Sequence, residues 1–136
     1  MMAILAAWGW TTDTGDKLAE LHTVRHSLLH WLEHLPGLDD LDALVLVASE
    51  LTTNAIQATT TPSDAIALQV RIEGDRVVLQ VANVGSAFVV QAELRDRTAA
   101  AGRGLLIVRS LTDGVQVSQE GRNVVVSAWR RLATAC

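Results

Sequence analysis

Glu50 and Asn54 stand four residues apart in the run Glu50-Leu51-Thr52-Thr53-Asn54. In a helix that spacing puts both side chains on one face, and Gln57 joins them there. A carboxylate beside an amide oxygen suits two tasks. The amide carbonyl is a hard oxygen ligand of the kind magnesium takes, and magnesium needs few ligands from the protein. The carboxylate can accept a proton from a water or hydroxyl that attacks a phosphate. Taken singly, such a pair on a polar helix face is more commonly just solvated.

Two further groups carry chemistry of the same kind. Asn83-Val84-Gly85 follows an apolar run. Gly85 lets the backbone come close to a ligand, and Asn83 offers one acceptor oxygen and two donor hydrogens, which can pair with a purine edge. Gly102-Arg103-Gly104-Leu105 opens onto an apolar run of helical character. Backbone amides at a helix start, with the helix dipole behind them, attract anions, and Arg103 can reach a phosphate. Each group alone has a plain alternative as a strand end or a turn.

His22, His26, His30 and His34 repeat every four residues. That spacing can bring two histidines to one metal, with Glu33 the only nearby carboxylate, but a row bordering the core or a helix partner is the simpler reading. Trp8, Trp10, Trp31 and Trp129 read as core or interface residues.

These groups need elements to hold them. Short polar residues at 13–16 can cap a helix. Leu18, Leu21, Val24, Leu28, Trp31 and Leu32 then follow at helical spacing, and Pro36-Gly37 ends it. A second helix runs from about Asp39 to Ala58, with an apolar stripe at Leu41, Leu44, Ala48, Leu51 and Ala55. The Glu50/Asn54 face is roughly opposite that stripe, and Leu46, Val47 and Ile56 beside it suggest cover on that side too. After a polar loop at 59–64 the period changes to two. Ile66 to Ile72 and Val77 to Asn83 read as a hairpin about Glu73-Gly74-Asp75-Arg76. Residues 84–101 show no period and are expected to form a loop. A short helix over Leu105 to Leu111 is followed by strands at Val115 and Val117 and at Val124 to Arg130, turning at Glu120-Gly121-Arg122-Asn123. Ile4 to Trp10 can add an edge strand. Hairpins dominate, so the expected fold is α+β, a two-layer sandwich with helices on one face of a mixed, mostly antiparallel sheet.

Composition narrows the classes. With 136 residues there is room for one domain, expected to span 1–136. Hydrophobic residues at 49% and charged ones at 19% do not describe a disordered chain. Eleven basic and fifteen acidic residues leave a net charge of −4, which argues against nucleic acid as a main partner. The single cysteine, Cys136, allows no disulfide framework. The apolar start, residues 1–8, lacks a basic flank and is too short to span a membrane, so the expectation is a cytoplasmic protein without a membrane anchor.

Taken together and in order, Glu50-x-x-Thr53-Asn54-Ala55, Asn83-x-Gly85 and Gly102-x-Gly104-Leu105 resemble the N box and two glycine boxes of the GHKL ATPase superfamily. The match covers about residues 16–130. The Glu-Leu-Thr-Thr-Asn-Ala and Gly-Arg-Gly-Leu-Leu-Ile-Val runs look most like the small bacterial anti-sigma factor serine kinases, the RsbW-like proteins. That resemblance implies the Bergerat ATP-binding fold, with ATP and magnesium as ligands. Asn54 would hold the magnesium, and Glu50 would be the general base toward a substrate serine. Asn83 and Gly85 would lie at the adenine, and Gly102, Arg103, Gly104 and Leu105 in the lid around the phosphates. The implied partners are a sigma factor and a STAS-type antagonist, and many such proteins are homodimers. A sensor histidine kinase is disfavoured, because the chain has no room for a separate phosphoacceptor hairpin.

Four positions depart from the family pattern. Asn83 stands where an aspartate is usual, Ala87 where a second glycine is common, Ala58 where some relatives carry histidine, and Asn123 where a threonine follows the last glycine. A binding module on the same fold that transfers no phosphate is therefore the alternative.

Overall fold

The computed structural model describes residues 2–11, 25–30, 33, 41–58, 64–95 and 100–132. Five strands form one sheet in the order β1-β2-β3-β5-β4: β1 Met2–Thr11, β2 Ala65–Glu73, β3 Arg76–Val84, β4 Gly114–Glu120 and β5 Asn123–Arg131. Every neighbouring pair is antiparallel. The helices are α1 (residues 25–30), α2 Leu41–Ala58, α3 Ala87–Arg95 and α4 Ala100–Leu111. The expected α+β architecture is present, and the N-terminal apolar run is the edge strand β1.

Alternation builds the sheet's inner face. Ile66, Leu68 and Val70 are fully buried while Ala65 and Ala67 are exposed and Gln69 is half-buried. Val77, Leu79 and Val81 on β3 and Val124, Val126 and Ala128 on β5 continue the same buried layer. Both hairpins turn on two residues that begin with a glycine at φ 60, Gly74 before Asp75 and Gly121 before Arg122. Positive φ at the first turn position alone is the II′ pattern, whose twist matches that of the strands. The outer face carries a polar ladder: Arg71 donates to Gln69, Glu73 and Gln80.

Helix α2 lies over β2 and β3 and against α4. Leu44, Val47, Ala48, Leu51 and Ala55 give it the buried stripe that the spacing predicts. Its last residue is Ala58 as expected; its predicted start at Asp39 falls outside the described residues. Leu28 of α1 enters the core, and the Arg25 Nε donates to Ser49 Oγ at 2.7 Å, tying α1 to α2.

The region 84–101 differs from the expectation of a loop. It holds α3 and the start of α4. Ser86 stands as the N-cap of α3, its carbonyl accepting from Val90 N–H. The period was hidden because Phe88 and Val89 are exposed, at 73% and 52%, so apolar residues occur on both sides of this helix.

Candidate functional site

The site forms where α2, the start of α4 and the end of β3 meet. A Cβ on Gly104 would lie 2.6 Å from Oε2 of Glu50 and 3.6 Å from Oδ1 of Asn54. Gly104 therefore brings the α4 backbone against both oxygen-bearing side chains, a closeness that any larger residue would prevent. The covering that Leu46, Val47 and Ile56 suggest for this side of α2 is supplied by α4; Val47 and Ile56 are buried and Leu46 is exposed.

Gly102, Arg103 and Gly104 do not lead into the helix from a loop, as their glycines suggest. They lie within α4, which begins at Ala100. Two glycines near a helix start cost roughly 1 kcal/mol each relative to alanine, and at Gly104 the contact with Glu50 is the reason one is there. The N–H groups of the first helical turn lack intrahelical acceptors, so Gly102 still contributes a backbone donor. The Arg103 side chain, read above as a phosphate contact, lies outside the described residues.

Asn83 is 4% exposed at the end of β3. Its Nδ2 donates to the Val84 carbonyl at 3.1 Å. Gly85 N–H donates to Arg122 O at 3.0 Å, and a Cβ there would meet Val124 Cγ1 at 3.1 Å. Asn54, Asn83, Val90, Leu105, Val81 and Val126 line a cavity of about 30 Å³. That is room for about one water, about a tenth of a small ordinary ligand pocket. The Nδ2 of Asn54 is buried with no hydrogen-bond partner, an uncommon state for an amide. The site thus joins Glu50, Asn54, Asn83, Gly104 and Leu105, with Gly85 beside them.

Sequence reasoning missed two residues. Val90 of α3 forms part of the cavity wall. Gln119 of β4 clamps the segment after β3: its Oε1 accepts from Ala87 N–H at 2.8 Å, and its Nε2 donates to Gly85 O at 3.0 Å and Gly121 O at 3.1 Å. No local pattern announces that contact, because it depends on β5 lying between β3 and β4.

A larger cavity, about 510 Å³, opens beside edge strand β4 between Gln91, Arg109 and Asp113. It holds none of the site residues. His26 and His30 are exposed on α1, and His22 and His34 fall outside the described residues. Among the described residues no cluster of three or more His, Cys, Asp or Glu is placed to hold a metal, and no helix is long and apolar enough to cross a membrane.

Gly104→Ala separates the geometry of this contact from stability. The obstructed atom is the end of a flexible side chain, and alanine favours the helix by up to about 1 kcal/mol. We expect an unchanged or slightly higher Tm, with the Glu50 carboxylate displaced. Thermal melting and the side-chain NMR shifts of Glu50 check this; unmoved Glu50 shifts would contradict the contact.

A family model described as a histidine kinase-like ATPase domain matches residues 15–129. No curated protein matches the chain. Among solved structures, the chain is similar to the RsbU and RsbW domains of Rv1364c from Mycobacterium tuberculosis. The TM-score is 0.61 at 19% identity, over 96% of this chain and 34% of that one. It is also similar to the histidine kinase AdeS of Acinetobacter baumannii, with a TM-score of 0.57 at 14% identity, over 96% of this chain and 69% of that one. The chain spans about a third of the first of these structures. At these identities the likeness is one of fold.

Proposed function

This chain belongs to the histidine kinase-like ATPase domain family, and from that premise we propose that it binds ATP with magnesium and acts in the cytoplasm as an anti-sigma factor and protein serine kinase toward a STAS-type antagonist. The observation that carries the reading is the meeting of Glu50 and Asn54 at Gly104. It sets a proton acceptor, a hard oxygen ligand and the amide-rich start of α4 side by side. The likeness to a structure containing an RsbW domain supports the regulatory part of the reading.

The donor set fits magnesium. Asn54 Oδ1 is a hard oxygen on the helix face it shares with Glu50, and a magnesium ion held there would ordinarily complete its shell with waters and phosphates. When bound it neutralises charge on the transferring phosphate. Glu50 takes the proton of the partner's serine hydroxyl. The serine oxygen bonds to the γ-phosphorus as its bond to the bridging oxygen breaks, and ADP leaves with that electron pair. Gly102 offers its backbone N–H to phosphate oxygens. Asn83 and Gly85 lie at the base.

The small volume of the cavity, with Asn83 and Asn123 at departing positions, favours a second reading: a module that holds its partner and transfers nothing. One experiment separates them. Titrate the protein with magnesium and labelled ATP, then add a purified STAS partner. Phosphoserine on the partner supports the kinase, binding without transfer supports the module, and no binding at millimolar ATP ends the nucleotide reading.

A further inference from the structure

Strand β4 ends the sheet, and one of its edges is open. The two-residue turn Gly121-Arg122 closes on Glu120 and Asn123, so those two residues exchange backbone hydrogen bonds. Bonded and non-bonded pairs alternate along an antiparallel ladder. Gly114, Gln116, Ser118 and Glu120 therefore turn their N–H and C=O groups toward β5, and Val115, Val117 and Gln119 turn theirs to the open edge. No described residue bonds to the backbone groups of Val115 or Val117 on that side. Proteins commonly blunt such an edge with lysine, proline or a bulge. At the other edge of the sheet, β1 has a register shift between Ile4 and Ala6, whereas β4 keeps an unbroken register and holds neither lysine nor proline.

The cavity of about 510 Å³ lies against this edge. It is lined by Val115 and Val117, which also pack on the core, by Gln91 of α3, and by Arg109 in the last turn of α4. Arg109 is exposed and makes no ion pair among the described residues, although Asp113 stands four residues on. The Asp113 carboxylate is engaged elsewhere, its Oδ2 accepting from Arg131 N–H at 2.6 Å. Thr112, also in the wall, donates its hydroxyl to Val108 O at 2.7 Å.

We propose that β4 takes up an extended segment of a partner protein as a sixth strand, with an acidic side chain on the inward face of that segment held by Arg109. Residues paired opposite Val115 and Val117 share their face of the sheet, so their side chains enter the cavity. Backbone pairing supplies the affinity, and the cavity selects the side chain. A second copy of this chain suits the cavity less well. Paired edge to edge, its β4 would bring Val115, Val117 and Gln119 to the inward face, and none of these is acidic.

The test uses the full chain without nucleotide and a fluorescein-labelled, amidated heptapeptide, Thr-Val-Thr-Glu-Thr-Val-Thr, whose alternate residues form one apolar, acid-centred face. Two controls replace its glutamate by lysine or methylate every backbone nitrogen. Fluorescence anisotropy gives the Kd of each. We expect the glutamate peptide to bind about fivefold or more tightly than the lysine one, and the methylated one not to bind at millimolar concentration. Hydrogen exchange at the Val115 and Val117 amides should slow on binding, with Gln116 and Ser118, already paired to β5, unchanged. Arg109→Glu should reverse the preference between the two charged peptides. Equal affinities for those peptides overturn the role of Arg109, and binding of the methylated one overturns strand addition. No binding of the glutamate peptide at millimolar concentration removes the site. A dimer that protects Val115 and Val117 without peptide assigns the edge to a second copy and overturns the proposal. The native chain alone decides the matter if the variant fails to fold.

Discussion

Glu50→Gln should abolish phosphate transfer while sparing nucleotide binding. Glutamine keeps the length and shape of the side chain and its contact with Gly104, but its amide oxygen is not a base. General-base assistance contributes roughly 10²–10⁴-fold, so transfer to a STAS partner should fall by that factor. The Kd for magnesium ATP should change by no more than a few-fold, because the ligand oxygen of Asn54 remains. Single-turnover transfer of labelled phosphate, beside equilibrium binding, reads both quantities. Retained transfer would place the base elsewhere. Loss of binding alongside transfer would make Glu50 a ligand-positioning group.

The second large effect is structural and involves none of the candidate site residues. Gly114 pairs with Trp129 across the β4–β5 ladder. A Cβ there would run into Cζ2 and Cε2 of the indole and lie 2.8 Å from Cη2. The ring has little freedom to yield: the Arg76 guanidinium stacks over it 5.0 Å from its centroid, and Asp113 N–H donates to the Trp129 carbonyl at 2.8 Å. Gly114→Ala should therefore cost about 1–3 kcal/mol, as overpacking does, and lower Tm by on the order of 10 °C. Adding Trp129→Leu should restore part of the loss, a coupling that a double-mutant cycle measures. If Gly114→Ala melts like the native chain, the ring and glycine are not in the contact described.

Much of the fold was legible because burial repeats with a period. The α2 stripe and the alternation of Ile66, Leu68 and Val70 are local consequences of one-sided burial, and the turns at Gly74 and Gly121 follow from residues that accept positive φ. The helix α3 was not legible. Phe88 and Val89 put apolar side chains in solvent, which erases the period, and part of its N-terminal capping comes from Gln119, thirty-two residues away. The site was legible in its parts and not in its contacts. Glu50 and Asn54 share a face by spacing alone. That Gly104 is a helical residue pressed against Glu50, and not a loop glycine, depends on how α4 packs on α2.

The order of strands in the sheet bears on how the molecule is made. The strand beside β3 is β5, the last of the described strands, while β4, which precedes it in sequence, lies outside it. Until residues 123–131 leave the ribosome, β3 has a bare edge, β4 has no partner, and Gly85 lacks the strap from Arg122. Long-range pairings of this kind close late and slowly. The cradle around Asn83 is therefore completed only once residues 123–131 have been made, and a chain cut short before them would leave the candidate site unassembled and strand edges open to aggregation.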